Sequence, residues 1–142
     1  MGLSWGSVTA DATGRQPMTF ALWTILAAAV LPYLCAVAAK YGGSGYDNAR
    51  PRRSMEALTG WRQRADWAQR NHFEAFAPFA ASVLTAQFVG APQGLVDALA
   101  AGFIAARVAY TAAYVADAPT LRSLLFGVGF ACVIALFCAG LR

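Results

Sequence analysis

Arginine, asparagine and glutamate stand in this chain at places where an apolar environment should exclude them. The run Arg70-Asn71-His72-Phe73-Glu74 opens one apolar stretch, and Arg107 lies inside another with no acid within nine residues on either side. Ionisable groups kept in such stretches face a partner helix or a wet cavity, and they mark sites for polar or ionic ligands. The chemistry these residue types offer is recognition of carboxylates: arginine presents a planar fork of donors that lysine cannot match.

Helical spacing sorts these residues onto faces. Trp67, Asn71, Glu74 and Pro78 fall at i, i+4, i+7 and i+11 and share one stripe, with Arg70 on its flank and within reach of Glu74. Arg107, Tyr110, Tyr114 and Asp117 follow a three-four-three spacing and form a second stripe. Two polar stripes near the same end of their helices suggest one polar site. Arg107 sits about 13 Å from the inner end of its stretch at 1.5 Å per residue, too deep to face lipid except by snorkelling, and Glu74 is the expected counter-charge. The spacing leaves a second reading open, in which Arg107, Glu74 and Asn71 pair only as polar glue between helices.

The elements that must position these stripes are membrane spans. The 142 residues are 58% hydrophobic and only 13% charged, with a mean hydropathy of +0.48, too oily for an ordinary soluble domain of this size. A transmembrane helix takes about 20 predominantly apolar residues. Four stretches qualify: 20–39, 73–89 (extendable backwards to 68), 95–116 and 121–141. Short links between the last three force antiparallel neighbours, so the expected fold is an all-α integral membrane protein, a four-helix antiparallel bundle. Gly90-Ala91-Pro92-Gln93-Gly94 reads as a turn and Asp117-Ala118-Pro119 as a stop followed by a start. Ala and Gly throughout the spans allow close helix approach.

Charge sets orientation. Seven of the eleven basic residues (Lys40, Arg50, Arg52, Arg53, Arg62, Arg64, Arg70) lie between the first and second spans, and the turn at 90–94 carries none. The positive-inside rule makes that loop cytoplasmic and puts both termini outside. The net charge of +4 is explained by membrane lipid as partner and needs no nucleic acid. Within the loop, Gly42-Gly43-Ser44-Gly45 lacks the ending of a phosphate-binding loop and reads as a flexible hinge, with Trp61 and Trp67 at the membrane interface.

Residues 1–17 form a polar leader ahead of a single membrane domain at 18–142, with Met18 an alternative start. A signal peptide fits poorly, because the first span holds Pro32 and only Arg15 flanks it. Cys35, Cys132 and Cys138 lie in apolar spans, have no disulfide or metal-ligand spacing, and read as small core residues. No metal is expected. His72 has no second histidine near it and reads as an interfacial polar residue rather than a ligand or base.

The ordered set Arg70-Asn71-x-x-Glu74-x-x-x-Pro78, Arg107-Val108-Ala109-Tyr110-Thr111-Ala112-Ala113-Tyr114 and Pro119-x-x-Arg122-Ser123 resembles the MAPEG family, the membrane-associated proteins in eicosanoid and glutathione metabolism. Tyr46-Asp47-Asn48 and Pro51-Arg52 look more like its bacterial branch. The resemblance implies a homotrimer in the bacterial inner membrane, with sites between subunits near the cytoplasmic side and glutathione as ligand. Carried over residue by residue, it implies that Asn71 and Glu74 hold the peptide backbone and that Arg70 and Arg107 hold its carboxylates. Tyr110 and Tyr114 would stand beside the ligand, Arg122 would stabilise the thiolate, and Ser123 would donate a hydroxyl.

A thiol becomes nucleophilic only as thiolate, which an adjacent cation or hydroxyl donor favours, and an apolar wall beside it admits a lipophilic electrophile. Seven residues before the glutamate the family's enzymes usually place another binding arginine, and here that residue is Trp67. The missing charge-assisted hydrogen bond is worth on the order of 1.5 to 3 kcal/mol. Three readings therefore stand: a glutathione-dependent transferase or peroxidase acting on lipophilic substrates, a non-catalytic member binding lipid or quinone, and an accessory or scaffold subunit among other membrane subunits.

Overall fold

A computed structural model describes residues 17–141. The polar leader therefore lies, apart from Pro17, outside the described residues. Five helices follow in order: α1 (Phe20–Tyr41), α2 (Pro51–Glu56), α3 (Gly60–Phe88), α4 (Gln93–Val115) and α5 (Pro119–Cys138). α1, α4 and α5 are long and apolar enough to cross a membrane. α3 has 29 residues but carries Arg62, Arg64, Asp66, Arg70 and Glu74 in its first half, which lowers its hydropathy below that of its neighbours.

The ends of the helices fix their directions. At one end Asp97 of α4 caps α1 across the bundle: its Oδ1 accepts from the Ala21 amide at 2.9 Å and from Gln93 Nε2 at 2.8 Å. Thr19 Oγ1 accepts from the Leu22 amide at 3.3 Å and from Gln87 Nε2 of α3 at 3.0 Å. Two of the orphan donors of the first turn are thereby satisfied by side chains, one of them ionised and well placed against the helix dipole. At the other end the first turn of α3 caps its neighbours. Arg62 donates to the carbonyls of Ala39, Lys40 and Ser44, each at 2.8 Å, and Arg64 donates to the carbonyl of Val115 at 3.0 Å. α1 and α4 thus run parallel, with α3 and α5 opposed to them in an up-and-down bundle.

These caps correct the expected loop. The segment after α1 is no free hinge, because it contains α2, buries Leu58 against Ala39 and Ala65, and is tied through Ser44 to Arg62. α3 begins at Gly60 rather than near residue 68. Hydropathy underestimates it because the charges of its first two turns are spent on helix C-termini. Gly42 ends α1 beneath Trp61, where a Cβ would land on the indole ring. Asp117, at φ 61°, supplies the left-handed residue that turns α4 into α5, a conformation Asp tolerates better than most residues.

The core runs along α3 and α4. Phe79 and Phe103 stack face to face at 3.8 Å between centroids, among Val83, Val96, Val133 and Leu136. Alanines at 21, 28, 86 and 100 let the backbones close up, which matters because lipid gives packed helices little hydrophobic advantage over separated ones. α5 exposes large apolar side chains along its whole length, among them Leu124, Val128, Phe130 and Ile134. Of the three cysteines expected in the core only Cys35 is buried; Cys132 is half-buried, Cys138 is exposed, and all three are free thiols.

Candidate functional site

α3, α4 and α5 enclose a crevice of about 190 Å³. Asn71, Glu74 and Arg107 form its polar end, and Phe103, Phe126 and Phe130 form its apolar end. Pro78 extends the α3 stripe down one wall, and Gly129 leaves room opposite Arg107.

Arg107 is only 2% exposed. Its Nε donates to His72 Nδ1 at 3.2 Å, and its Nη2 donates to Asn71 Oδ1 at 2.9 Å with His72 Nδ1 a further 3.1 Å away. The guanidinium carbon lies 4.3 Å from the centre of the Tyr110 ring, in cation–π contact. Among the described residues Nη1 has no hydrogen-bond partner. No carboxylate pairs with Arg107 either, since the ion pairs found are Arg64–Asp117 and Arg70–Asp66. A buried charge without a counter-ion carries a desolvation cost of several kcal/mol, and among the described residues this one is offset only by His72, Asn71 and the Tyr110 ring.

His72 holds the guanidinium in place. It is 3% exposed, and its Nε2 lies 2.7 Å from Thr111 Oγ1. That hydroxyl gives its own proton to the Arg107 carbonyl at 3.1 Å, so it accepts from the imidazole. Nε2 therefore bears the ring proton and Nδ1 is left as a bare acceptor for Arg107. The expectation of an interfacial histidine is thus corrected. The signal was present in the spacing: Ala65, Ala68, His72, Phe79, Val83 and Ala86 fall on one helical stripe, and all are buried.

Two further expectations change. Glu74 is exposed and is no counter-ion to Arg107; its Oε2 lies 3.4 Å from Asn71 Nδ2. Arg70 does not reach Glu74, because it pairs with Asp66 one turn earlier, Nη2 to Oδ2 at 2.9 Å, and so points away from the crevice. Arg107 and Glu74 thus do not pair directly, and Asn71 stands between them, joining α4 to α3 through its bond from Arg107.

Beyond the crevice a ladder of rings and cations continues along α4. Tyr110 meets Tyr114 edge to face at 5.5 Å, and Arg122 of α5 covers the Tyr114 ring at 4.5 Å. Trp67, half-exposed, has its ring 6.5 Å from that of Tyr114. Tyr110, Tyr114 and Arg122 stand beside the crevice without lining it. Ser123 is exposed, and its hydroxyl donates to the Pro119 carbonyl of its own helix at 3.1 Å. The residues expected to bind and to catalyse thus fall into a crevice group (Asn71, Glu74, Arg107), an adjoining ladder (Tyr110, Tyr114, Arg122), and two placed elsewhere (Arg70, Ser123).

Among family models, that of the MAPEG family matches residues 20–142. No curated protein and no solved structure matches the chain.

Proposed function

The chain belongs to the MAPEG family, and on that premise we propose that it binds glutathione at a crevice completed by a neighbouring subunit of a homotrimer, beside a lipophilic second substrate. The observation that carries this reading is Arg107: a buried guanidinium whose Nη1 has no hydrogen-bond partner and which makes no ion pair among the described residues. Glutathione has two carboxylates and a thiol, so it supplies the missing anion. The phenylalanines at the other end of the crevice suit a lipophilic electrophile or peroxide.

Size supports the subunit boundary. Pockets for drug-sized ligands run to about 300–1,000 Å³, and the crevice of about 190 Å³ holds part of a tripeptide. A second wall is needed, and the apolar outer face of α5 leaves surface for a neighbour to cover. We place the site at the cytoplasmic side of the inner membrane, with four spans and both termini outside, because the cations from Lys40 to Arg70 gather at one end of the bundle. In α3 the stretch Phe73–Phe88 covers about 24 Å at 1.5 Å per residue, and the preceding turn makes up the rest of the hydrocarbon layer.

Calorimetry on the detergent-solubilised protein at millimolar glutathione is expected to give heat that Arg107→Gln removes. Wild-type protein giving none would end this reading. A second reading, binding without turnover, is favoured by Ser123, whose hydroxyl is committed to Pro119, and by Arg122, which covers Tyr114 outside the crevice. Turnover of a lipophilic electrophile that Arg122→Ala abolishes, with the trimer intact, separates the transferase from the binder.

A further inference from the structure

A second concavity lies on another face of α3, between the C-terminal turn of α1 and the short helix α2, with a volume of about 390 Å³. Its lining carries both signs of charge. Arg52 supplies a cation with no ion pair or hydrogen bond among the described residues, Lys40 supplies one whose ammonium lies 5.4 Å from the centre of the Tyr46 ring, and Arg70 supplies a third that is held by Asp66. Glu56 supplies a carboxylate with no ion pair among the described residues.

Two acceptors on α3, three residues apart, are left without donors. Asp66 uses Oδ2 for Arg70, and its Oδ1, which stays open to solvent, has no hydrogen-bond partner among the described residues. Gln69 Oε1 is the one buried side-chain polar atom without a partner among the described residues. A buried acceptor left without a donor costs about 1–3 kcal/mol, so natural proteins seldom keep one that nothing fills.

The groove does not stop at the polar groups. Ala36 forms part of its wall, and one turn further into the membrane Tyr33 of α1 meets Phe73 of α3 edge to face at 5.7 Å. Both rings are largely exposed, Tyr33 at 61% and Phe73 at 46%. A polar cup at the end of the apolar helix α1 thus has exposed apolar rings one turn away along that helix. Trp61 and Trp67, both partly exposed, stand at the same end of the bundle, the place aromatic belts take at the membrane surface.

We propose that this groove is a binding site for a phospholipid whose headgroup joins a phosphate to a primary ammonium, of the phosphatidylethanolamine type. The phosphate is held by Lys40 and Arg52. The ammonium gives its three donors to Gln69 Oε1, Asp66 Oδ1 and Glu56, and the acyl chains lie against Tyr33 and Phe73. A glycerol headgroup offers hydroxyls to Gln69 but no charge for the carboxylates, and a choline headgroup offers charge but no donor. The ammonium alone satisfies both acceptor types.

Native mass spectrometry of the full-length protein released from detergent tests this with three lipids of matched chains, bearing ethanolamine, choline and glycerol headgroups. The expected result is retention of the ethanolamine lipid over both others. Gln69→Leu is expected to weaken that retention about tenfold, the scale of one hydrogen bond to a charged group. Gln69→Glu, which keeps an acceptor at the same place, is expected to preserve it. Equal retention of the choline lipid, preference for the glycerol lipid, or undiminished retention by Gln69→Leu would each overturn the proposal. Glutathione heat in the Gln69→Leu protein reports separately on the crevice and on folding, since Gln69 does not line the crevice.

Discussion

Replacing His72 by leucine tests whether the buried arginine is positioned or merely present. The substitution keeps an apolar body of similar size and removes the Nδ1 acceptor that Arg107 reaches with Nε at 3.2 Å and Nη2 at 3.1 Å, together with the bond to Thr111 at 2.7 Å. They are not equal. Neutral bonds between helices within membranes average about 0.6 kcal/mol in double-mutant cycles. A bond from a charged donor is worth about 1.5–3 kcal/mol, and here its loss strands a guanidinium that is 2% exposed. The expected cost is therefore about 2–4 kcal/mol, dominated by Arg107.

Two companions divide the effect. Thr111→Val removes only the neutral bond to the ring and the hydroxyl's bond to the Arg107 carbonyl, and should cost about 1 kcal/mol. His72→Leu combined with Arg107→Met removes the stranded charge together with its acceptor, and should be more stable than His72→Leu alone. Stability is read from unfolding in mixed micelles by tryptophan fluorescence, with glutathione heat as the functional readout. A His72→Leu protein within about 0.5 kcal/mol of wild type, or a double variant carrying the full sum of both single losses, would refute the positioning role.

Arg62→Lys should destabilise the protein nearly as much as Arg62→Ala, by about 2–3 kcal/mol, because a single ammonium cannot span the carbonyls of Ala39, Lys40 and Ser44; unfolding in mixed micelles reads both. Asp97→Ala should cost about 1–2 kcal/mol through loss of the cap on Ala21 and the bond from Gln93, with hydrogen exchange rising first in the opening turn of α1. Gly42→Ala should be destabilising through displacement of the Trp61 ring, and thermal unfolding should show Trp61→Ala relieving part of that loss.

Periodicity made much of this legible. Apolar stretches gave α1, α4 and α5 to within a few residues, and helical spacing put Asn71, Glu74, Pro78 and Arg107 into one crevice. What spacing could not give was which of several neighbours a flexible charged side chain chooses. Arg70 had Glu74 and Asp66 each four residues away, and it pairs with Asp66, a residue whose side chain is 10% exposed. The start of α3 was hidden for a related reason. A helix whose first turns cap two others carries charges there, and hydropathy counts those charges against it. His72 is legible by its stripe, which is buried throughout, although a lone histidine at a helix entrance is more often interfacial.

The charges of α3 also explain why this helix, and not a more apolar one, organises the molecule. Between Asp66 and Glu74 it shows three different faces within two and a half turns. His72 looks inward to Arg107 and Thr111. Asn71 and Glu74 look into the crevice, and Asp66, Gln69 and Arg70 look into the groove beside α2. Rotation or sliding of α3 would move all three sets at once. Its first turn is pinned to the ends of α1 and α4 by Arg62 and Arg64, and its last turn is joined to α1 through Gln87 and Thr19. A lipid seated in the groove would grip the segment that holds Arg107 in register. The register of Arg107 therefore depends on the contacts that α3 makes at both of its ends.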